Sequence, residues 1–137
     1  MIKIGKDISN FSAYSCQPTS KKDLVLVMSA RFSKEGHNCD LNDIDVSLIT
    51  DMSFLFYDSK FNGDISNWDV SNVVNMTRMF AFSKFDGDIS GWDVRKVRDM
   101  SYMFYDAKFN GDISKWKINK NCNTTQMRVQ EQSLTSK

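Results

Sequence analysis

The apolar positions keep one rhythm over 19–36 and another from 37 onward. In the first stretch Leu24, Val25, Met28 and Phe32 fall at i, i+1, i+4 and i+8, one face of a helix. Leu26 and Val27 widen that face, so the helix is expected to be buried along much of its length. Ser20 and Asp23 make a capping-box-like start, the hydroxyl accepting a free amide and the carboxylate reaching back toward the positive helix end. Gly36 stands where a helix stops.

From 37 the apolar residues recur every 24 positions. FNGDISNWDVSNVVNMTRM (61–79) returns as FDGDISGWDVRKVRDMSYM (85–103) and begins again at 109 as FNGDISKW. A fixed period of this size marks a stacked repeat array. Gly-Asp-Ile-Ser reads as a short strand, Ile inward and Asp and Ser outward. Trp68 and Val70 turn the corner inward. Asp51, Asn75 and Asp99 are N-cap types ahead of one or two helical turns, with Met52, Leu55 and Phe56, then Met76, Met79 and Phe80, then Met100, Met103 and Phe104 at i, i+3, i+4. Equivalent residues would stack about 4.8 Å apart along a strand ladder. The expected core is therefore Phe61, Trp68, Phe85, Trp92, Phe109 and Trp116, with Met76 and Met100 filling gaps.

The predicted fold class is α/β, a solenoid of about four 24-residue coils of short parallel strands and short helices, with an N-terminal capping helix. Its divisions are 1–36 (segment and capping helix), 37–118 (repeats 37–60, 61–84, 85–108 and a partial 109–118) and 119–137 (C-terminal cap and tail). The alternative use of the helix is to bind a partner. Ile2 and Ile4 suggest a short edge strand, and Ile8, Phe11 and Tyr14 a cover for the open core end. The first repeat is degenerate: Asp40 replaces Asp64, Leu41 replaces Ile65, Ile44 replaces Trp68, His37 takes the Phe61 place and Cys39 the Gly63 place. In the last, Thr124 and Arg128 stand at the Met100 and Phe104 equivalents and only Met127 keeps register, as a polar end cap requires; 130–137 is expected to fray.

Charge changes this picture little. Eighteen basic against seventeen acidic residues leave a net charge of +1, which argues against a globally basic nucleic-acid binder. No apolar run is long enough to span a membrane, and residues 1–18 lack the apolar core of a signal peptide. Three cysteines without a CxxC read as reduced thiols, with one disulfide and a free thiol as the alternative. An intracellular location is the expectation for the chain as given, and the cell surface if a signal or anchor precedes it.

Three surfaces are candidates. Asp64, Asp88 and Asp112, continuing from Asp40, form an acidic row whose carboxylates would repel unless turn amides, a basic partner or a calcium ion satisfies them; the turn reading is preferred, since calcium wants six to eight oxygens. Arg78, Arg95, Lys96 and Arg98, with Lys115, Lys117 and Lys120, form a basic group. Positions 71, 72 and 74 are Ser, Asn and Val, whereas 95, 96 and 98 are Arg, Lys and Arg, so the change is on the exposed side. A solvated face, an acidic protein and nucleic acid are the readings, in that order. Tyr57, Phe82 and Tyr105 form an aromatic row, shifted at Ala81, of the kind that makes binding hot spots. His37 with Cys39 lacks further metal ligands. One histidine, no nucleophile–base pair and no phosphate loop point away from an enzyme, and no cofactor is expected.

The repeat units FNGDISNWDVSNVVNMTRMF, FDGDISGWDVRKVRDMSYMF and FNGDISKW closely resemble the BspA-like leucine-rich-repeat family, over about 19–118. The resemblance implies a right-handed leucine-rich-repeat-like solenoid used for adhesion or protein binding, with no catalytic residues. The expected function is a non-enzymatic protein-binding module. The alternatives are a small phage- or mobile-element-type inhibitor of a bacterial or host nucleic-acid-handling enzyme, and a fragment of a surface adhesin. The expected partner is another protein, with nucleic acid not expected as a direct ligand.

Overall fold

The structure is a computed structural model that describes residues 16–128. The expectations for Ile2, Ile4, Ile8, Phe11, Tyr14 and 130–137 lie outside those residues.

Helix α1 is Lys21–Glu35. Ser20 Oγ accepts the Asp23 amide at 3.2 Å. The Asp23 carboxylate accepts from the Thr19 hydroxyl at 3.3 Å, where a capping box would have it reach the cap amide. Gly36, at φ 87°, ends the helix with its amide on the Phe32 carbonyl. Leu24 and Met28 are buried and Val27 and Phe32 pack at the core's edge. Val25 and Leu26 are 41% and 62% exposed, so the buried face is narrower than the spacing suggests. Two clamps hold α1 to the first repeat. Lys21 Nζ donates to the carbonyl and hydroxyl of Ser53 at 2.9 and 3.0 Å. Arg31 donates to both Asp43 carboxylate oxygens at 2.9 Å and to the Asp40 carbonyl at 2.8 Å.

Past Gly36 the expected architecture is not formed. Among the described residues α1 is the one helix. The described residues form no strand, only single parallel bridges: Cys16 with Ile44, Asp40 with Asp64, and the series Asp51, Asn75, Asp99, Asn123. The α/β, leucine-rich-repeat-like solenoid is thus corrected: the repeats are tiers of turns, stacked every 24 residues, without strands or helices.

The reason lies in how the backbone amides are used. Over 52–59 they alternate. Leu55, Tyr57 and Ser59 donate three residues back within their own tier, at 3.1–3.2 Å. Met52, Phe54, Phe56 and Asp58 donate to the carbonyls of Asn75, Thr77, Met79 and Ala81 in the next tier, at 2.8–3.0 Å. The same split recurs from Met76 and from Met100. A helix would use every amide within the segment, and an extended strand would make no three-residue closures. Here the backbone groups are satisfied half one way and half the other. The chain turns because Phe54 and Asp58 are left-handed (φ 62° and 54°), as are Arg78, Phe82, Tyr102 and Asp106 at the equivalent places. A left-handed residue stops helix propagation, although Met52, Leu55 and Phe56 carry helical spacing. The Gly-Asp-Ile-Ser segments also turn: Asp64 Oδ1 accepts the Ser66 amide at 2.9 Å, and the Trp68 amide donates to the Ile65 carbonyl at 3.1 Å.

The turns line side chains up in columns. Phe56, Phe80 and Phe104 stack with ring centroids 5.4 and 5.5 Å apart, within 6° of parallel. Phe61, Phe85 and Phe109 stack at 6.0 and 6.1 Å. Phe61, Phe85, Trp68, Trp92, Met76 and Met100 are buried, as are Phe109 and Trp116 near the far end. Each indole N–H donates to the tier before it: Trp68 to Leu41, Trp92 to Ile65 and Trp116 to Ile89, at 2.9–3.1 Å. A side chain at Gly63 would collide with the Cys39 carbonyl and the Phe61 ring. The far end is closed by Arg128, which stands over Phe104 and Phe109 and donates to the Gly111 carbonyl at 2.9 Å.

Candidate functional site

The acidic row is absorbed into the turns. Asp64, Asp88 and Asp112 each accept the amide two residues on, from Ser66, Ser90 and Ser114, at 2.9–3.0 Å. The Ser66 and Ser90 hydroxyls add bonds of 2.7 Å. These bonds hold the three carboxyls below the usual carboxylate range. The Ser66 and Ser90 amides come first at Asp64 and Asp88, and the Ser114 side-chain bond at Asp112. Asp40, Asp45, Asp51, Asp69, Asp93 and Asp99 close the same turn. The carboxylates thus serve as turn acceptors. Among the described residues no group of three or more His, Cys, Asp or Glu could hold a metal ion.

The basic group is divided. Arg95 is held by Asp93 through two bonds of 2.9 Å, and that contact brings Asp93 down to about 2. Lys96 donates to the Asn72 side chain at 3.0 Å. Arg95, Lys115 and Lys117 border a shallow cleft of ≈ 240 Å³. Arg98 lies beyond the buried Val97, its backbone bonded to Val74 and Asn123. Lys120 is exposed. Arg78 stands elsewhere, among aromatic rings. With Arg95 neutralised, the cleft is less basic than the letters suggest.

The thiols and the one imidazole remain. Cys16, Cys39 and Cys122 are free thiols, and burial pushes all three up, away from the reactive thiolate. His37 stacks on Phe32 at 4.8 Å.

The surface that the structure assembles is aromatic. Across the tiers, three columns lie side by side: Phe54, Arg78, Tyr102; Tyr57, Ala81, Tyr105; Asp58, Phe82, Asp106. Phe82 stands edge-on between Tyr57 and Tyr105, at 5.6 and 5.7 Å. Phe54 meets Tyr57 at 5.3 Å and Tyr102 meets Tyr105 at 5.5 Å. The Arg78 guanidinium closes the circuit, 4.4 Å from the Tyr102 ring and 5.9 Å from that of Phe54. Phe54, Tyr57 and Phe82 are 48%, 42% and 40% exposed. Ala81 is buried beneath, since Phe82 leans over it from the next position.

Tyr57, Phe82, Tyr105 and Arg78 carried a signal in the sequence, but in separate groups. Phe54 and Tyr102 were missed. Their signal was the 24-residue column through Arg78, which the helical reading of 52–56 hid.

No helix of the described residues is long and apolar enough to cross a membrane. Comparison with curated proteins and with solved structures gave no match. A family model described as "Mycoplasma protein of unknown function, DUF285" matches residues 26–137, and the chain, with its 24-residue tiers, belongs to that family.

Proposed function

We propose that this chain is a non-enzymatic protein-binding module, and that the ring of Phe54, Tyr57, Phe82, Tyr105, Tyr102 and Arg78 is its binding surface. One observation carries the reading. The fold asks for left-handed residues at these places, and Asp58, Arg78, Asp106 and Gln126 meet that demand without aromatic rings. Phe54, Phe82 and Tyr102 meet it with bulky rings at φ 56–62°, a conformation that costs about 1–2 kcal/mol for a residue with a side chain. Packing does not ask for the rings either, since they lie outside the core. Strain without a structural return is a pointer to function. Aromatic residues around an arginine are the composition of interface hot spots.

The test compares three immobilised proteins: the wild type, a ring variant (Phe54→Ser, Phe82→Ser, Tyr105→Ser) and a cleft variant (Arg95→Glu, Lys117→Glu). Partners captured from the encoding organism's lysate are identified by mass spectrometry and re-bound as purified proteins. The ring variant should lose the partner and the cleft variant keep it. Equal retention by all three sinks the reading.

A further inference from the structure

We propose that the protein this face takes is a second copy of the same chain, in a two-fold dimer with the stacks side by side. The proposal rests on the preceding reading that the ring binds protein, and it names the partner. The argument is charge and symmetry. The face has its cation, Arg78, in the middle tier of the first column. Its carboxylates, Asp58 and Asp106, stand in the third column, one tier to either side of Arg78, with Phe82 between them. Neither carboxylate is bonded to another described residue, in contrast to the aspartates that close turns. They are anions left unused by the fold.

A two-fold axis along the stack, through the tyrosine column, exchanges the outer columns and keeps the tiers. Arg78 of each copy then meets the second copy's Phe82, flanked by the second copy's Asp58 and Asp106. A cation over an aromatic face between two carboxylates is favourable on all three counts. The tyrosines meet their own counterparts, with a dip at Ala81 between them. An axis across the stack would set Asp58 against Asp106, like on like, which is disfavoured. The pattern is thus self-complementary in one orientation, as an isologous contact requires. Three tiers, whose equivalent rings stand 5.4–6.1 Å apart inside the stack, and three columns fall below the about 800 Å² a side of a stable interface, so a concentration-dependent monomer–dimer equilibrium is expected.

Sedimentation equilibrium on the full chain tests this, with circular dichroism confirming that each variant is folded. Arg78→Glu alone sets like charges together, as does Asp58→Lys with Asp106→Lys. Each should weaken self-association by at least about tenfold. Mixed one to one, the two variants present Glu against Lys on one side and Arg against Asp on the other, so the mixture should dimerise about as well as wild type. A wild type that stays monomeric at every concentration overturns the proposal, and if the ring still captures another protein, the binding reading survives it. A mixture no better than either variant alone also overturns it.

Discussion

The columns inside the stack and the columns on its aromatic face are made of the same residue types, yet they follow opposite rules. Inside, a column repeats one letter: Phe56, Phe80, Phe104, and Phe61, Phe85, Phe109, with rings within 7° of parallel. Outside, the letters alternate: Tyr57, Ala81, Tyr105, and Asp58, Phe82, Asp106, with rings near perpendicular at 78–79°. The interior leaves one shape per tier, so identical rings pack best at a fixed spacing. The surface has no such demand. Where a column departs from repetition on the outside, packing has not chosen the residue.

The comparison breaks most visibly at the interior. Phe80 touches Phe56, Phe104 and Phe85, so Phe80→Ala should cost about 3–5 kcal/mol in urea unfolding; a loss below about 1 kcal/mol would refute the stacked core. The turn closures come next. Asp99→Ala leaves the Ser101 amide without its acceptor and should cost about 1–2 kcal/mol, whereas Asp99→Asn should cost far less, because Asn75 and Asn123 close the same turn in neighbouring tiers. A similar loss from both substitutions would show that charge, not the turn bond, matters there.

Acid tests these closures together. The carboxyls of Asp45, Asp51, Asp64, Asp88, Asp99 and Asp112 sit below their unfolded value of 3.8, and Asp93 at about 2. A depressed carboxyl pKa contributes stability that is complete above the unfolded value and is lost as pH falls through the folded one. Stability attributable to them should therefore be flat from pH 7 to 5 and fall between about pH 4 and 2. Loss beginning near pH 6 would point to another group. The smallest effect on stability belongs to the outer face. Ala81→Tyr with Phe82→Asp makes the middle tier a copy of its neighbours. Unfolding should move by no more than about 1 kcal/mol. A large destabilisation would mean that the alternation serves the fold after all.

Much of the stack was legible in the letters. The period, the buried places of Phe61, Trp68, Phe85, Trp92, Phe109, Trp116, Met76 and Met100, and the helix over Lys21–Glu35 follow from spacing. The element type inside each repeat did not. Met52, Leu55 and Phe56 have a spacing that a helical turn and a run of three-residue closures share. The left-handed sites that tell them apart carry Phe, Asp, Arg and Tyr rather than the Gly or Asn that announce such a conformation. The basic group divides for a related reason: Arg95, Lys96 and Arg98 are near neighbours in sequence, but the buried Val97 stands between Lys96 and Arg98, and Asp93 takes Arg95.

The sequence by itself determined the 24-residue register and what goes inside, because burying an aromatic ring depends on its kind and its interval and little on the backbone that carries it. Only the tertiary structure decided that the tiers are turns, and that Phe54, Tyr57, Phe82, Tyr105, Tyr102 and Arg78 meet on one face. Those neighbours are set by the sign of φ and by amide bonds to the next tier, and neither is written in any single residue.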